Sequence, residues 1–481
     1  MTALLVRSVK AGWTRGSVVA LDAGVHLSAI TRILEETQPR GLGTTVSLPH
    51  ILEAGPFKGL ELRDTSASAN AAHITRHIVD TYLITHPHLD HISGFVINTA
   101  GLPGNRQKRL AGLPSTISAF RNHIFNNVIW PNLSDENNGA GLVTYLRLVE
   151  GGSPALGEGD GRGYVEISDG LTIRIFSVSH GHCIERHVHR GSGASSRLGS
   201  LDASSMLSQS GMPGSNAASG PSNLFRTASL AQGSPNQERD HMCVYDSSAY
   251  FIREPYSGRE VLMFGDVEPD SISLSPRNLL IWQEAAPRIA NGNLAAIFIE
   301  CSYDDSQPVD RLFGHLTPRF LVEELKVLAV EVEAVRQASL IKPEASKKRK
   351  RDRDDDGKAI RIPTRPSLDD APVSPKTTRP PRPGSASGIS NYSFDTPRES
   401  PHAADLLAVK DLDRATTSTL TEYQGFNALK NLKVVVIHVK EKLDGGAPVG
   451  EKILEELLDH EEEAQLGCEF SISSSGQSFM L

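Results

Sequence analysis

Short apolar runs recur along the chain, each ending in polar, turn-forming residues. Residues 18–24 (VVALDAG) read as a strand closing in a tight turn, and residues 78–85 (IVDTYLIT) as a β-branched strand entering a His-rich loop. Residues 171–177 (LTIRIFS) alternate as a half-buried strand does. Residues 249–253 and 260–264 flank Ser257-Gly258 and predict a hairpin. Residues 294–299 and 432–439 are almost wholly apolar, as strands covered on both faces are. Helical spacing appears at 27–36, 115–126, 278–289, 317–333 and 451–460. Strands interleaved with helices predict an α/β (α+β) layered domain.

Two stretches break the pattern. Residues 191–237 are rich in Gly and Ser and poor in aromatics, a composition that buries too little apolar surface to offset ordering; a disordered insertion is expected there. Residues 337–403 are expected to be a second insertion, charged and Pro-rich, with the run Lys347-Lys348-Arg349-Lys350-Arg351 beside Asp354-Asp355-Asp356. One folded domain is then expected to be assembled from residues 1–190, 238–336 and 404–481. The run Lys347–Arg351 has the form of a nuclear-import signal in a chain otherwise expected in the cytoplasm. Its acidic neighbours partly screen it and favour, slightly, a solvated polyampholyte.

Composition narrows the class. The net charge of −8 over 481 residues argues against a protein that coats nucleic acid. The four Cys are far apart and form no CxxC, so neither a zinc ribbon nor a disulfide framework is expected, and a reducing compartment fits. No apolar run is long enough to span a membrane, and residues 1–13 lack the sustained apolar stretch of a secretion signal.

The chemistry concentrates in His86-Pro87-His88-Leu89-Asp90-His91, directly after a strand. Three imidazoles and a carboxylate within six residues suit Zn²⁺ or a similar divalent ion, and they are expected to converge on a loop. Three more strand ends carry ligand-type residues: Ser179-His180-Gly181-His182, Phe264-Gly265-Asp266 and Val436-Ile437-His438. A lone His on a strand is more often a satisfied core residue, so it is the order of the four segments that matters.

That order resembles the metallo-β-lactamase superfamily, in which HxHxDH, His, Asp and His follow one another. The resemblance implies an αββα sandwich and two metal ions. His86, His88 and His180 would hold one ion, Asp90, His91 and His438 the other, with Asp266 bridging. HPHLDHISGFVINTAG, SHGH, FGDVEPDS, ECSY (300–303) and LFGHLTP (312–318) together resemble the class II cyclic-nucleotide phosphodiesterases. Phe95 and Thr99 replace an aliphatic residue and a Ser of that signature. The family begins with a further strand and Gly-rich turn, whereas here the resemblance starts in LLVRS, almost at Met1.

The implied reaction is hydrolysis of 3′,5′-cyclic AMP, and of cyclic GMP as a second candidate, to the 5′-monophosphate. Two adjacent cations neutralise a phosphodiester and acidify water; Zn²⁺ fits N/O donors best, with Mn²⁺ or Fe²⁺ open. His315 is the candidate general acid for the departing 3′ oxygen, since an ordinary His donates near neutral pH. The alternative places it in the capping region of a helix with Thr317 as N-cap and Pro318 at N1. Asp90 joins the catalytic set, and Glu300, or less favourably Asp270, would orient an imidazole. His182, His187 and His189 read as surface residues and Cys301 as a small buried hydrophobe. The family suggests a homodimer acting on a small molecule, with neither nucleic acid nor membrane as partner. Competing readings are a tRNA 3′-processing nuclease, which would need a basic exosite, a thioester or lactam hydrolase, and a catalytically silent nucleotide-binding protein.

Overall fold

The computed structural model describes residues 3–101, 106–157, 159–185, 241–340, 426–442 and 444–481. Both expected insertions, apart from residues 337–340, lie outside the described residues, as do the basic run, His187 and His189. Most of the fold belongs to one compact unit, residues 1–337 and 424–481.

Two sheets stack face to face. The first has the order β1 (Leu4–Arg7), β2 (Val18–Leu21), β5 (Val79–Leu83), β6 (Lys108–Gly112), β7 (Val143–Arg147). The second runs β14 (Glu469–Ile472), β13 (Lys433–Ile437), β12 (Leu294–Glu300), β11 (Glu260–Phe264), β10 (His241–Arg253), β9 (Leu171–Glu185), β8 (Val165–Ser168). The strands around the site, β2–β5 and β11–β12–β13, are parallel. A short ribbon, β3 (His50–Ile51) with β4 (Glu61–Leu62), stands apart.

Alternation within each strand divides the core into three layers. Val19, Leu21 and Leu83 meet Ile173, Ile175, Met263, Phe298 and Val435 between the sheets. Val18 and Ala20 instead face the outer helices of the first sheet, α1 (Leu27–Thr37), α2 (Ala67–His73), α3 (Leu89–Gly101) and α4 (Pro114–Ala119), through Ile30, Leu34, Ala71, Phe95 and Ile117. Ile297, Ile299, Val434 and Val436 face α5 (Asn278–Ala290), α6 (Pro318–Leu340) and α7 (Val449–Ala464), through Trp282, Leu321, Leu325, Ile453 and Leu457. Helices, sheet, sheet and helices thus stack as the αββα sandwich expected, and burial on both faces explains why 294–299 and 432–439 read as almost wholly apolar runs.

Several boundaries differ from expectation. The HxHxDH motif is a loop only through His88; Leu89 opens α3, because Ile92, Phe95 and Val96 recur at helical spacing and bury against the first sheet. Asp90 and His91 therefore project from a first helical turn, where a carboxylate is favoured by the helix dipole. Helix α6 runs through Leu340 and so takes the first residues of the expected second insertion; no Gly or Pro interrupts 319–340. The helix expected at 115–126 is α-helical only to Ala119 and continues as a π turn, Phe120–Ile124. Strand β9 continues past Ser177, carrying His180 within it rather than after it.

Candidate metal centre

The ligand-type residues collect at one edge of the sandwich, where β2, β5, β11, β12 and β13 all end. His86 and His88 come from the loop after β5, Asp90 and His91 from the start of α3, Asp266 from the turn after β11, and His438 from the residue after β13. His180 arrives from β9 by a bulge: Val244 pairs with His182 and Asp246 with Ser179, so His180 and Gly181 together oppose one residue.

The site divides around Asp266. Its Oδ2 lies 3.7 Å from His86 Nε2 and 3.5 Å from His180 Nε2, while its Oδ1 lies 3.2 Å from His91 Nε2 and 3.6 Å from His438 Nε2. Asp90 Oδ2 adds to the second set, 3.2 Å from His438 Nε2. Within each group, His86/His88/His180/Asp266 and Asp90/His91/His438/Asp266, the ligand atoms lie within 4.8 Å of one another. All seven residues expected from the sequence are thus brought together, in the two sets expected.

Hydrogen bonds outside the centre aim four of the rings. Asp22 Oδ2 accepts from His91 Nδ1 at 2.8 Å and from Thr85 Oγ1 at 2.8 Å. With its proton given to Asp22, Thr85 Oγ1 accepts from His86 Nδ1 at 3.0 Å. His180 Nδ1 donates to Gly314 O at 2.8 Å. Ser302 Oγ donates to Glu300 Oε2 at 2.6 Å and accepts from His438 Nδ1 at 3.1 Å. In every case the outer nitrogen is the donor, which leaves the Nε2 lone pair facing inward, as metal ligation requires.

The inward groups are poorly satisfied by the protein itself. His86 Nε2 and Asp266 Oδ1 are buried without a hydrogen-bond partner, and His91 Nε2 and His438 Nε2 face each other at 3.1 Å. Such an arrangement is costly for bare polar groups and suits a cation between them. The protonation tendencies agree. Burial, reinforced by neighbouring imidazoles, pushes His86 far below its ordinary range, and burial takes His180 down to about 4, so both stay neutral. Burial would lower His91 as well, but Asp22 and Asp266 outweigh it and raise it to about 10: this carboxylate field attracts a positive charge. Burial opposes ionisation of Asp266, yet His91, His438 and His86 hold it well below the carboxylate range. The residues fit divalent metal binding.

A third set, His180, Asp266, Glu300 and His315, is equally close. Glu300 is fully buried, and its oxygens are already taken: Oε1 accepts from Val267 N at 2.9 Å and His315 Nδ1 at 2.8 Å, Oε2 from Ser302. Its hydrogen bonds thus fall on His315, Val267 and Ser302. Burial depresses His315, but Glu300 and Asp266 outweigh this and draw it upward, Lys440 opposing them. The loop carrying His315 is pressed onto β9: a Cβ at Gly314 (φ 79°) would stand 2.5 Å from Gly181 N and 2.6 Å from the His180 carbonyl carbon. Gly265 is similarly confined, its notional Cβ 2.4 Å from Thr85 Cβ. Only glycine lets these segments approach the ligands so closely.

Other expectations are corrected. The Asp270 carboxylate is taken up elsewhere: it caps α5, accepting from the backbone N–H of Arg277, Asn278 and Leu279. Thr317 does not cap α6 through its side chain, since Thr317 Oγ1 has no partner; Asp305 Oδ1 accepts from Arg319 N instead. Cys301 is buried among apolar residues, and His182 is exposed, both as read. Three residues went unread. Asp22 was visible as a polar residue ending a buried strand. Ser302 sits beside the noted Glu300. Lys440 follows His438 by two residues, and its Nζ lies 2.7 Å from His315 Nε2.

The model of the class-II cAMP phosphodiesterases matches residues 14–193 and 216–341, more than half of the chain. The chain belongs to the class-II cAMP phosphodiesterase family. The resemblance read from the sequence is borne out, and with it the enzyme class, a 3′,5′-cyclic-nucleotide phosphodiesterase. A 3′,5′-cyclic-nucleotide phosphodiesterase of Schizosaccharomyces pombe is 28% identical over 317 residues, covering 66% of this chain and 68% of the relative. One from Candida albicans is 30% identical over 277 residues, 54% of this chain and 58% of the relative. In fold, the chain is similar to unliganded yeast PDE1, with a TM-score of 0.52 at 19% identity over 96% of this chain and 90% of that one.

Proposed function

We propose that this phosphodiesterase hydrolyses the 3′,5′-cyclic diester of cyclic AMP to 5′-AMP with two divalent cations, zinc being the ion that its imidazole-rich N/O donors suit best. His86, His88 and His180 would hold one cation and Asp90, His91 and His438 the other, with Asp266 common to both sets. The observation that carries this reading is the division of Asp266: Oδ2 faces His86 and His180, with His315 behind them, while Oδ1 faces His91 and His438. When bound, the two cations supply Lewis acidity and a lowered pKa for water.

The remaining work falls to side chains. His315, steadied at Nδ1 by Glu300, presents Nε2 to the site and is the proton donor to the departing 3′ oxygen. Asp22, Ser302 and the Gly314 carbonyl hold the ligand rings in register.

The test is turnover of cyclic AMP and cyclic GMP by purified protein loaded with Zn²⁺, Mn²⁺ or Fe²⁺, with bound metal measured by mass spectrometry. Two equivalents of metal and 5′-AMP as product are expected. Fully loaded protein that leaves cyclic AMP intact, or that releases 3′-AMP, overturns the reading.

A further inference from the structure

The turn after β13 brings an unneutralised cation into the site. His438 takes a left-handed backbone (φ 61°), and two residues on the Lys440 N–H donates to Ser302 O at 3.0 Å, which ties the chain back across the end of β12. The Lys440 ammonium then lies over the Tyr303 ring, 5.6 Å from its centroid, with Nζ 2.7 Å from His315 Nε2. Its neighbour Lys442 behaves differently, pairing with Asp304 at 2.9 Å, as does Lys452 at 3.2 Å. Among the described residues no carboxylate lies within 4.0 Å of Lys440 Nζ, and its hydrogen-bond partner there is the His315 imidazole. A half-buried ammonium held against an imidazole nitrogen and a ring face lacks the counter-ion that such a charge ordinarily finds.

A phosphodiester anion supplies that counter-ion. We propose that Lys440 binds a non-bridging phosphoryl oxygen of the substrate, with His315 Nε2 as its partner when the site holds no phosphate. The inference rests on the phosphodiesterase reading above and adds a protein-borne cation to the site.

The experiment compares Lys440→Met, Lys440→Arg and the parent protein, all metal-loaded, by the inhibition constant of inorganic phosphate, KM and kcat for cyclic AMP, metal content and melting temperature. Lys440→Met is expected to keep both metals and its melting temperature while weakening phosphate about 10- to 100-fold and raising KM similarly, the range of a charge-assisted hydrogen bond. Lys440→Arg is expected to recover most of the phosphate affinity. Unchanged phosphate affinity in Lys440→Met overturns the proposal, even if kcat falls, because the lysine would then act through His315 alone. Should the parent protein turn over no cyclic nucleotide, phosphate binding followed by calorimetry still decides on Lys440, so the two readings fail separately.

Discussion

At the scale of single residues, the centre is governed by which atom of each ring is committed outward. His91, His180, His438 and His86 each give Nδ1 to a protein acceptor, so four lone pairs converge without any choice left to the rings. Asp266 is the residue on which both ligand sets depend. Asp266→Ala is expected to lower metal content and turnover by orders of magnitude; a variant that retains two metals and full activity refutes its bridging place. His315 makes the opposite kind of prediction, because its ring is held by Glu300 and not by the ligand sets. His315→Ala should keep its metals and slow cyclic AMP hydrolysis roughly 10²- to 10⁴-fold. A diester with a p-nitrophenoxide leaving group should lose far less, since that group departs without a proton. Equal losses on both substrates would make His315 a binding group and remove the general acid.

At the scale of elements, the site depends on strand ends and on the turns that follow them. The entry to β5 is held by an unusual device, the buried Lys108 of β6. Its ammonium donates to Thr75 O, Arg76 O and Val79 O, carbonyls left over where the π turn Ile74–Ile78 ends. Lys108→Met would strand those acceptors, and unfolding by urea should show a loss of roughly 2–4 kcal/mol. A change within a few tenths of a kcal/mol would mean that water replaces the ammonium. The same residue has a pH signature. Burial lowers its pKa to about 8, Asp80 opposing, so between that value and the ordinary lysine value of about 10.4 the unfolded chain binds more protons than the folded one. Stability of the parent protein should therefore rise with pH across that window relative to Lys108→Met, a gain that vanishes below about pH 8.

At the scale of the molecule, two sheets, each covered by helices, bring residues as distant in sequence as Asp22 and His438 to one edge. The two strands flanking the Gly/Ser-rich stretch are paired out to Glu185 and His241, so the chain leaves and re-enters the sheet at neighbouring points. Replacing residues 191–237 by a short turn should therefore leave the melting temperature within a few degrees and the metal content unchanged, since loop length enters stability only weakly. Loss of soluble protein on that replacement would assign the stretch a structural part.

Much of this was legible along the chain. Most of the expected ligands announce themselves because they follow a buried strand that runs out, with His180, inside β9, the exception; a strand end in a layered α/β domain is where a side chain can leave the core and still be fixed. Tertiary structure decided what local pattern cannot carry. The helix beginning at Leu89 depends on Ile92 and Phe95 finding the first sheet, and the aim of His180 on a bulge that exists only through pairing with β10. Asp22 lies 69 residues from His91 and Lys440 lies 125 from His315 in sequence; each becomes a partner only when strands β2 and β13 pack beside β5 and β12. Local sequence determines which residues can bond metal or proton, because that is a property of side-chain chemistry. Which of them meet is set by long-range strand order, and neither periodicity nor spacing encodes that order.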